Sequence, residues 1–190
     1  MRTYTIRRIV LAALLAALTA GATLVIRIPT PTLGYIHPGD GLVLLCGILL
    51  GPGPGAVAAG IGSMLADLLG GFPAWAPGTL VIKALTALVS GALYRLCLKR
   101  AGMSAPLRVI LCGVPAEALM VAGYFLYELG MLALSGSALP AASAAALAGV
   151  PFNGVQGGVG VAICALLLPV LQHASAGAGR YPRNGSAGMR

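Results

Sequence analysis

Charge is what this 190-residue sequence has least of: Asp, Glu, Lys and Arg together make up 8% of it, and only four residues are acidic. Soluble domains carry roughly a quarter charged residues. A water-soluble globule is therefore excluded, and with 58% hydrophobic residues a polytopic membrane domain takes its place. Cysteine is sparse too. Cys46, Cys97, Cys112 and Cys164 stand singly, with no C-x-x-C and no histidine at ligand spacing. That excludes a disulfide framework and a metal site, and leaves four small apolar packing residues. Also missing are G-x-x-x-x-G-K-[ST], H-E-x-x-H and a nucleophile elbow. No enzyme, cofactor or resident ATPase is expected, so any ATP-driven process would place the ATPase on another chain.

The basic residues that are present carry information by position. The net charge of +8 is not spread along a stripe, as nucleic-acid binding would need. It gathers at Arg2/Arg7/Arg8, at Arg95/Lys99/Arg100/Arg108 and at Arg180/Arg183/Arg190, leaving only Arg27 and Lys83 outside these clusters. Apolar runs between turn signals predict six helices, at 9–26, 39–50, 56–69, 77–98, 106–134 and 144–172. The expected breaks are a proline-rich loop (27–38), GPGPG (51–55), GGFPAW (70–75) and a small-residue linker (135–143). With both termini in the cytoplasm, all three basic clusters lie inside, as the positive-inside rule asks. The expected fold class is thus all-α: a polytopic protein of six transmembrane helices in the cell membrane. Residues 1–173 form the domain, and 174–190 a flexible basic cytoplasmic tail. The first helix resembles a signal peptide at Ala20-Gly21-Ala22, but its run of about 18 apolar residues is long for one.

Helices 2 and 3, at about 12 and 14 residues, look short for ~30 Å of hydrocarbon. They are expected as short spans packed inside the bundle or as a re-entrant pair.

In that topology the rare polar groups converge on the outer half. Tyr35, His37 and Asp40 lie at the first outer loop, Asp67, Trp75 and Lys83 around the second, and Tyr124, Glu128, Asn153 and Gln156 near the third. Ionisable groups at membrane depth are costly, and their default reading is a functional site. Glu117, Tyr124 and Glu128 are spaced seven and four apart and share one helix face, as do Asn153 and Gln156 at a spacing of three. An amide pair of this kind can donate to and accept from a heterocycle or hydroxyl. Lys83 needs a counter-charge, for which Asp67 or Glu117 is expected, either as a ligand contact or as a structural ion pair. Trp75, beside Phe72 in a Gly/Pro-rich loop, suits a stacking lid or an interfacial anchor. Small residues at Ala12, Ala16 and Ala20, and at Ala13 and Ala17, leave smooth stripes on helix 1 that admit a second helix closely. These residues leave three readings open: a solute-binding subunit, a stand-alone carrier or channel using Asp67 or Glu117 as its coupling carboxylate, and a structural membrane protein.

YIHPGD leading into an apolar run, then LGPGPGAVAAGIGSMLADLLGG, FPAWAPGTLVIKAL and VPFNGVQGGVG, resemble the S components of energy-coupling factor (ECF) vitamin transporters across most of residues 5–172. The closest-looking branch holds the riboflavin, pyridoxine and hydroxymethylpyrimidine S components. The resemblance implies a six-helix subunit that binds a vitamin or precursor near the outer face, under closing loops. It further implies docking on a membrane coupling subunit carrying two ATPases, with a helix 1 small-residue motif (Ala12/Ala16/Ala20 or Ala13/Ala17 here) as the docking surface, and transport by tilting of the whole subunit. One tryptophan and three phenylalanines are few for a flavin, which favours a smaller ring such as pyridoxine or a pyrimidine.

Overall fold

The computed structural model describes residues 2–30, 34–98 and 102–178. Six helices carry the fold: α1 (Arg2–Val25), α2 (Asp40–Leu50), α3 (Pro52–Gly70), α4 (Ala76–Leu98), α5 (Ala105–Leu134) and α6 (Leu139–Ala178). Successive pairs α1·α3, α3·α4, α4·α5 and α5·α6 pack side by side, and α2 sits inside the curve they make, against α1, α3, α4 and α6. That position explains its composition. Val43, Leu44, Leu45 and Cys46 are all fully buried, so α2 is apolar all round, as a core helix must be. The outer helices instead expose apolar faces, among them Ile9, Val10, Leu85, Leu126 and Leu166, the surface a bilayer covers.

Close approach is bought with glycine on α2 and α4. A Cβ on Gly47 would strike the Ala87 carbonyl and Ser90 Oγ, and one on Gly91 would strike the Gly47 backbone. The two backbones touch there, so neither position tolerates a side chain. Gly51, at φ 88°, makes the corner between α2 and α3. The Arg8 guanidinium donates to the Leu50 carbonyl at that corner, and Gln172 reaches Tyr94 at the same end of the bundle. The first and last described stretches thus share one end with Arg95. The loop after α1, the α3–α4 turn and the α5–α6 turn lie at the other.

Four boundaries differ from expectation, the first being that of α1, which begins at Arg2 rather than at 9. GPGPG does not break the chain; only Gly51 does, and α3 starts at Pro52. Proline in a helix's first turn lacks a donor that would be unpaired anyway, and its fixed φ suits the helix. α3 therefore has 19 residues rather than 14, a rise of roughly 28 Å. The linker expected at 135–143 shrinks because α6 begins at Leu139, its run of alanines being the best helix formers available. At the other end α6 continues to Ala178, past the expected boundary at 173, while Lys99, Arg100 and the basic residues of the tail lie outside the described residues. Four helices, α1, α4, α5 and α6, are long and apolar enough to cross a membrane; α2, at 11 residues, is not.

The loop before α2 is less open than the prolines suggest. Ile28–Pro29 (β1) pairs antiparallel with Tyr35–Ile36 (β2), a two-residue ribbon that is the one departure from an all-α fold among the described residues.

Candidate functional site

At the end opposite Arg8 and Arg95, the ribbon folds over the mouth of the bundle. Its base is anchored by the Arg27 guanidinium, which donates to the Gly70 carbonyl at 3.0 Å and lies 5.8 Å over the Tyr35 ring. Tyr35 packs on Phe72 and donates its phenol proton to Asp67 Oδ1 at 2.7 Å. Burial pushes the Tyr35 phenol above its ordinary range, and the hydrogen bond to Asp67 adds to this. The phenol therefore stays a donor. His37 closes the inner side: its Nδ1 accepts the Gly39 backbone N–H, so the neutral ring carries its proton on Nε2. Burial pulls the imidazole down from 6.5 to about 4, against the attraction of Asp40 and with the repulsion of Lys83.

Beneath the ribbon lies a cavity of about 40 Å³, room for a few water molecules. Eight of the eleven residues expected at the site line it: Tyr35, His37, Asp67, Trp75, Tyr124, Glu128, Asn153 and Gln156. Trp75 stands between Tyr124 and Tyr127, each with ring centroids 6.1 Å from it, and the Tyr127 hydroxyl pins the Ala74 carbonyl. The Tyr124 hydroxyl donates to Thr79 Oγ1 at 3.1 Å. Asn153 makes no side-chain hydrogen bond among the described residues, which leaves its amide for a ligand. Gln156 is different. Its Oε1 accepts the His37 backbone N–H at 3.0 Å and its Nε2 donates to Asp40 Oδ2 at 2.8 Å, so both ends of the amide are engaged.

Asp40, Lys83 and Glu117 are not in the lining. Lys83 is completely buried, donates to Asp40 Oδ1 at 2.5 Å and lies 5.1 Å from the Tyr124 ring centroid. The counter-charge expected from Asp67 or Glu117 is supplied by Asp40. The reason is position: Asp40 opens α2, which packs against α4 inside the bundle, and this brings its Oδ1 to Lys83 Nζ. Glu117 stays nearby, with neither carboxyl oxygen hydrogen-bonded among the described residues. It lies behind a groove between α5 and α6 that Gly154, Gly157 and Gly158 also line.

The cavity adds Thr30, Gly34, Thr79 and Gly149 to the expected set. Helical spacing would have found two of them: Thr79 precedes Lys83 by four, and Gly149 precedes Asn153 by four. Thr30 and Gly34 come from an irregular loop and carry no such signal. On α1 the two alanine stripes separate. Ala12, Ala16 and Ala20 are half-buried, with the Ala16 backbone against Gly62 of α3, whereas Ala13 and Ala17 are exposed.

A small, partly open cavity with polar and ionisable side chains in its wall, at one end of an otherwise apolar bundle, suits a membrane solute-binding protein. Comparison with known proteins names the class. Residues 3–173 match the family model of the ECF-type riboflavin transporter S component, and the chain belongs to that family. S components are multi-pass membrane proteins, the non-catalytic subunits that bind substrate for ECF transporters. The fold is that of a solved S component of a bacterial ECF transporter, at a TM-score of 0.68, 23% identity, and coverage of 89% of this chain and 97% of that one. A Pyrococcus woesei relative of uncharacterised function, "in gap 3'region", is 44% identical over 70 residues, 36% of this chain. The match spans 47% of that protein's length.

Proposed function

We propose that the protein captures a vitamin or vitamin precursor at the outer face of the cell membrane. It then delivers the ligand inward on an ECF coupling subunit driven by two ATPase subunits. The observation that carries this is the position of the cavity: it lies at the end of the bundle away from Arg7, Arg8, Arg95 and Arg108, and positive clusters mark the cytoplasmic side. On this reading α2 and α3 complete six membrane-embedded helices, and both termini are cytoplasmic. Ligand entry requires the ribbon to lift, because 40 Å³ is far below the roughly 300–1,000 Å³ of a filled small-molecule site.

Within this function the favoured ligand is a single small ring of pyridoxine or hydroxymethylpyrimidine size. The narrow cavity supports it. Riboflavin is the second reading, favoured by the family match itself. Asn153, Asp67, Trp75 and Tyr124 are the proposed ligand contacts. Asp40, Lys83, Gln156 and Glu117 are proposed to hold the frame beneath them. The exposed Ala13/Ala17 stripe is the proposed docking surface for the coupling subunit, because the Ala12/Ala16/Ala20 stripe faces the bundle.

The test is intrinsic fluorescence of the purified protein, titrated with water-soluble vitamins and precursors. Trp75 is the only tryptophan and lines the cavity. Saturable quenching by one compound at nanomolar concentration names the ligand. Proton- or sodium-coupled uptake by the protein alone, without an ATPase, would instead make it a stand-alone carrier.

A further inference from the structure

We propose that the cavity selects uncharged or cationic ligands that donate hydrogen bonds, and rejects those bearing a carboxylate or phosphate. The inference rests on the vitamin-capture reading and narrows its substrate class. Two carboxyl groups, Asp67 from α3 and Glu128 from α5, line the cavity, and among the described residues no lysine or arginine does. Residues 31–33, which complete the connection between β1 and β2, are Pro-Thr-Leu and bring no charge. The nearest cations are spent elsewhere: Lys83 is wholly buried against Asp40, and Arg27 holds the Gly70 carbonyl. His37 lines the wall as a neutral ring, because burial keeps its pKa near 4.

Asp67 Oδ2 is a buried acceptor with no hydrogen-bond partner among the described residues, while Oδ1 takes the Tyr35 proton. An unfilled acceptor in a desolvated wall asks for a donor on the ligand. An anion meets the opposite. Where the carboxyls are ionised it is repelled, and where they are protonated it still loses its water without gaining a counter-charge. One full charge about 6 Å from a carboxylate, in the partly desolvated setting of a protein surface, corresponds to roughly 100-fold in affinity. A subunit built this way takes the free vitamin alcohol and leaves its phosphate ester.

The experiment titrates Trp75 fluorescence of the full-length protein in detergent with matched pairs: riboflavin, pyridoxine and hydroxymethylpyrimidine, each against its phosphate ester. Pantothenate, biotin and nicotinate serve as anionic vitamins. The expected result is that whichever alcohol binds does so at least about 100-fold more tightly than its ester. Asp67→Asn should shift that ratio toward the ester by about tenfold or more while the alcohol still binds, a change that a purely structural role would not produce. An ester or a carboxylate vitamin binding as tightly as the best alcohol overturns the selectivity but leaves vitamin capture standing. Binding of none of these compounds overturns vitamin capture and this inference with it.

Discussion

Replacing Lys83 with methionine tests whether this residue reads the ligand or holds the frame. The side chain is of similar length and apolar, so the change removes the charge and little volume. What remains is Asp40, completely buried, with Gln156 Nε2 at 2.8 Å as its surviving side-chain partner. Breaking a buried ion pair from one side costs about 3–5 kcal/mol, because the other charge is left uncompensated. For a chain of this size each kcal/mol lowers the thermal midpoint by about 2–4 °C, so Lys83→Met should unfold roughly 6–20 °C earlier without ligand. Cys46, Cys112 and Cys164 are buried and free, and a thiol-reactive dye reports their exposure during a melt in detergent. Removing both charges, with Asp40→Asn added, should recover most of the loss, since replacing a buried pair with neutral groups is often close to thermodynamically neutral. A Lys83→Met protein with an unchanged midpoint but no ligand binding would refute this. It would make Lys83 a ligand contact.

Asn153→Ala should do the reverse, weakening ligand affinity at least about tenfold with the apo midpoint within a few degrees, measured by titration and melt of the same sample. Acidification should destabilise the apo protein through His37, whose folded pKa of about 4 lies below the 6.5 of the unfolded chain. The unfolded state binds the proton more readily, so the contribution is full above pH 6.5 and is lost as pH falls to 4. The total is about 3 kcal/mol, and His37→Asn should flatten the profile between those limits. Ala17→Leu should abolish co-purification with the coupling subunit and leave ligand binding intact. Ala16→Leu should lower the midpoint as well, because Ala16 packs against α3 at Gly62.

The sequence made the existence and order of the helices legible because long apolar runs and clustered arginines are strong local signals. The polar cavity was legible for a related reason: with only four acidic residues, each one inside an apolar run stands out. Partner choice was not. Lys83 and Asp40 are 43 residues apart, and their pairing follows from α2 lying inside the bundle, which no periodicity reports. Nor did periodicity report that Gln156, expected as a ligand contact, also bridges Asp40 and the His37 backbone. Boundaries failed where prolines and alanines sit at helix starts. There a residue that breaks a helix interior is welcome, and composition alone does not separate the two positions.

The arrangement beneath the cavity explains why so costly a pair is placed in an apolar bundle. Lys83 of α4 holds Asp40 of α2, Asp40 holds the Gln156 amide of α6, and Gln156 holds the backbone N–H of His37, where the ribbon descends into α2. Three helices and the ribbon are thus joined by consecutive directional bonds. A purely hydrophobic contact would bury the same atoms but fix no position along the chain, because apolar packing tolerates sliding and hydrogen bonds do not. The ribbon has only two residues per strand, and its inner end takes its position from this relay. On the α3 side the ribbon is held by Tyr35 on Asp67 and Phe72 and by Arg27 on Gly70. The inner attachment is buried and backed by charge-assisted bonds to Asp40, while the contacts toward α3 are partly exposed. The opening proposed above is therefore expected to begin at Tyr35 and Arg27 and to pivot near His37.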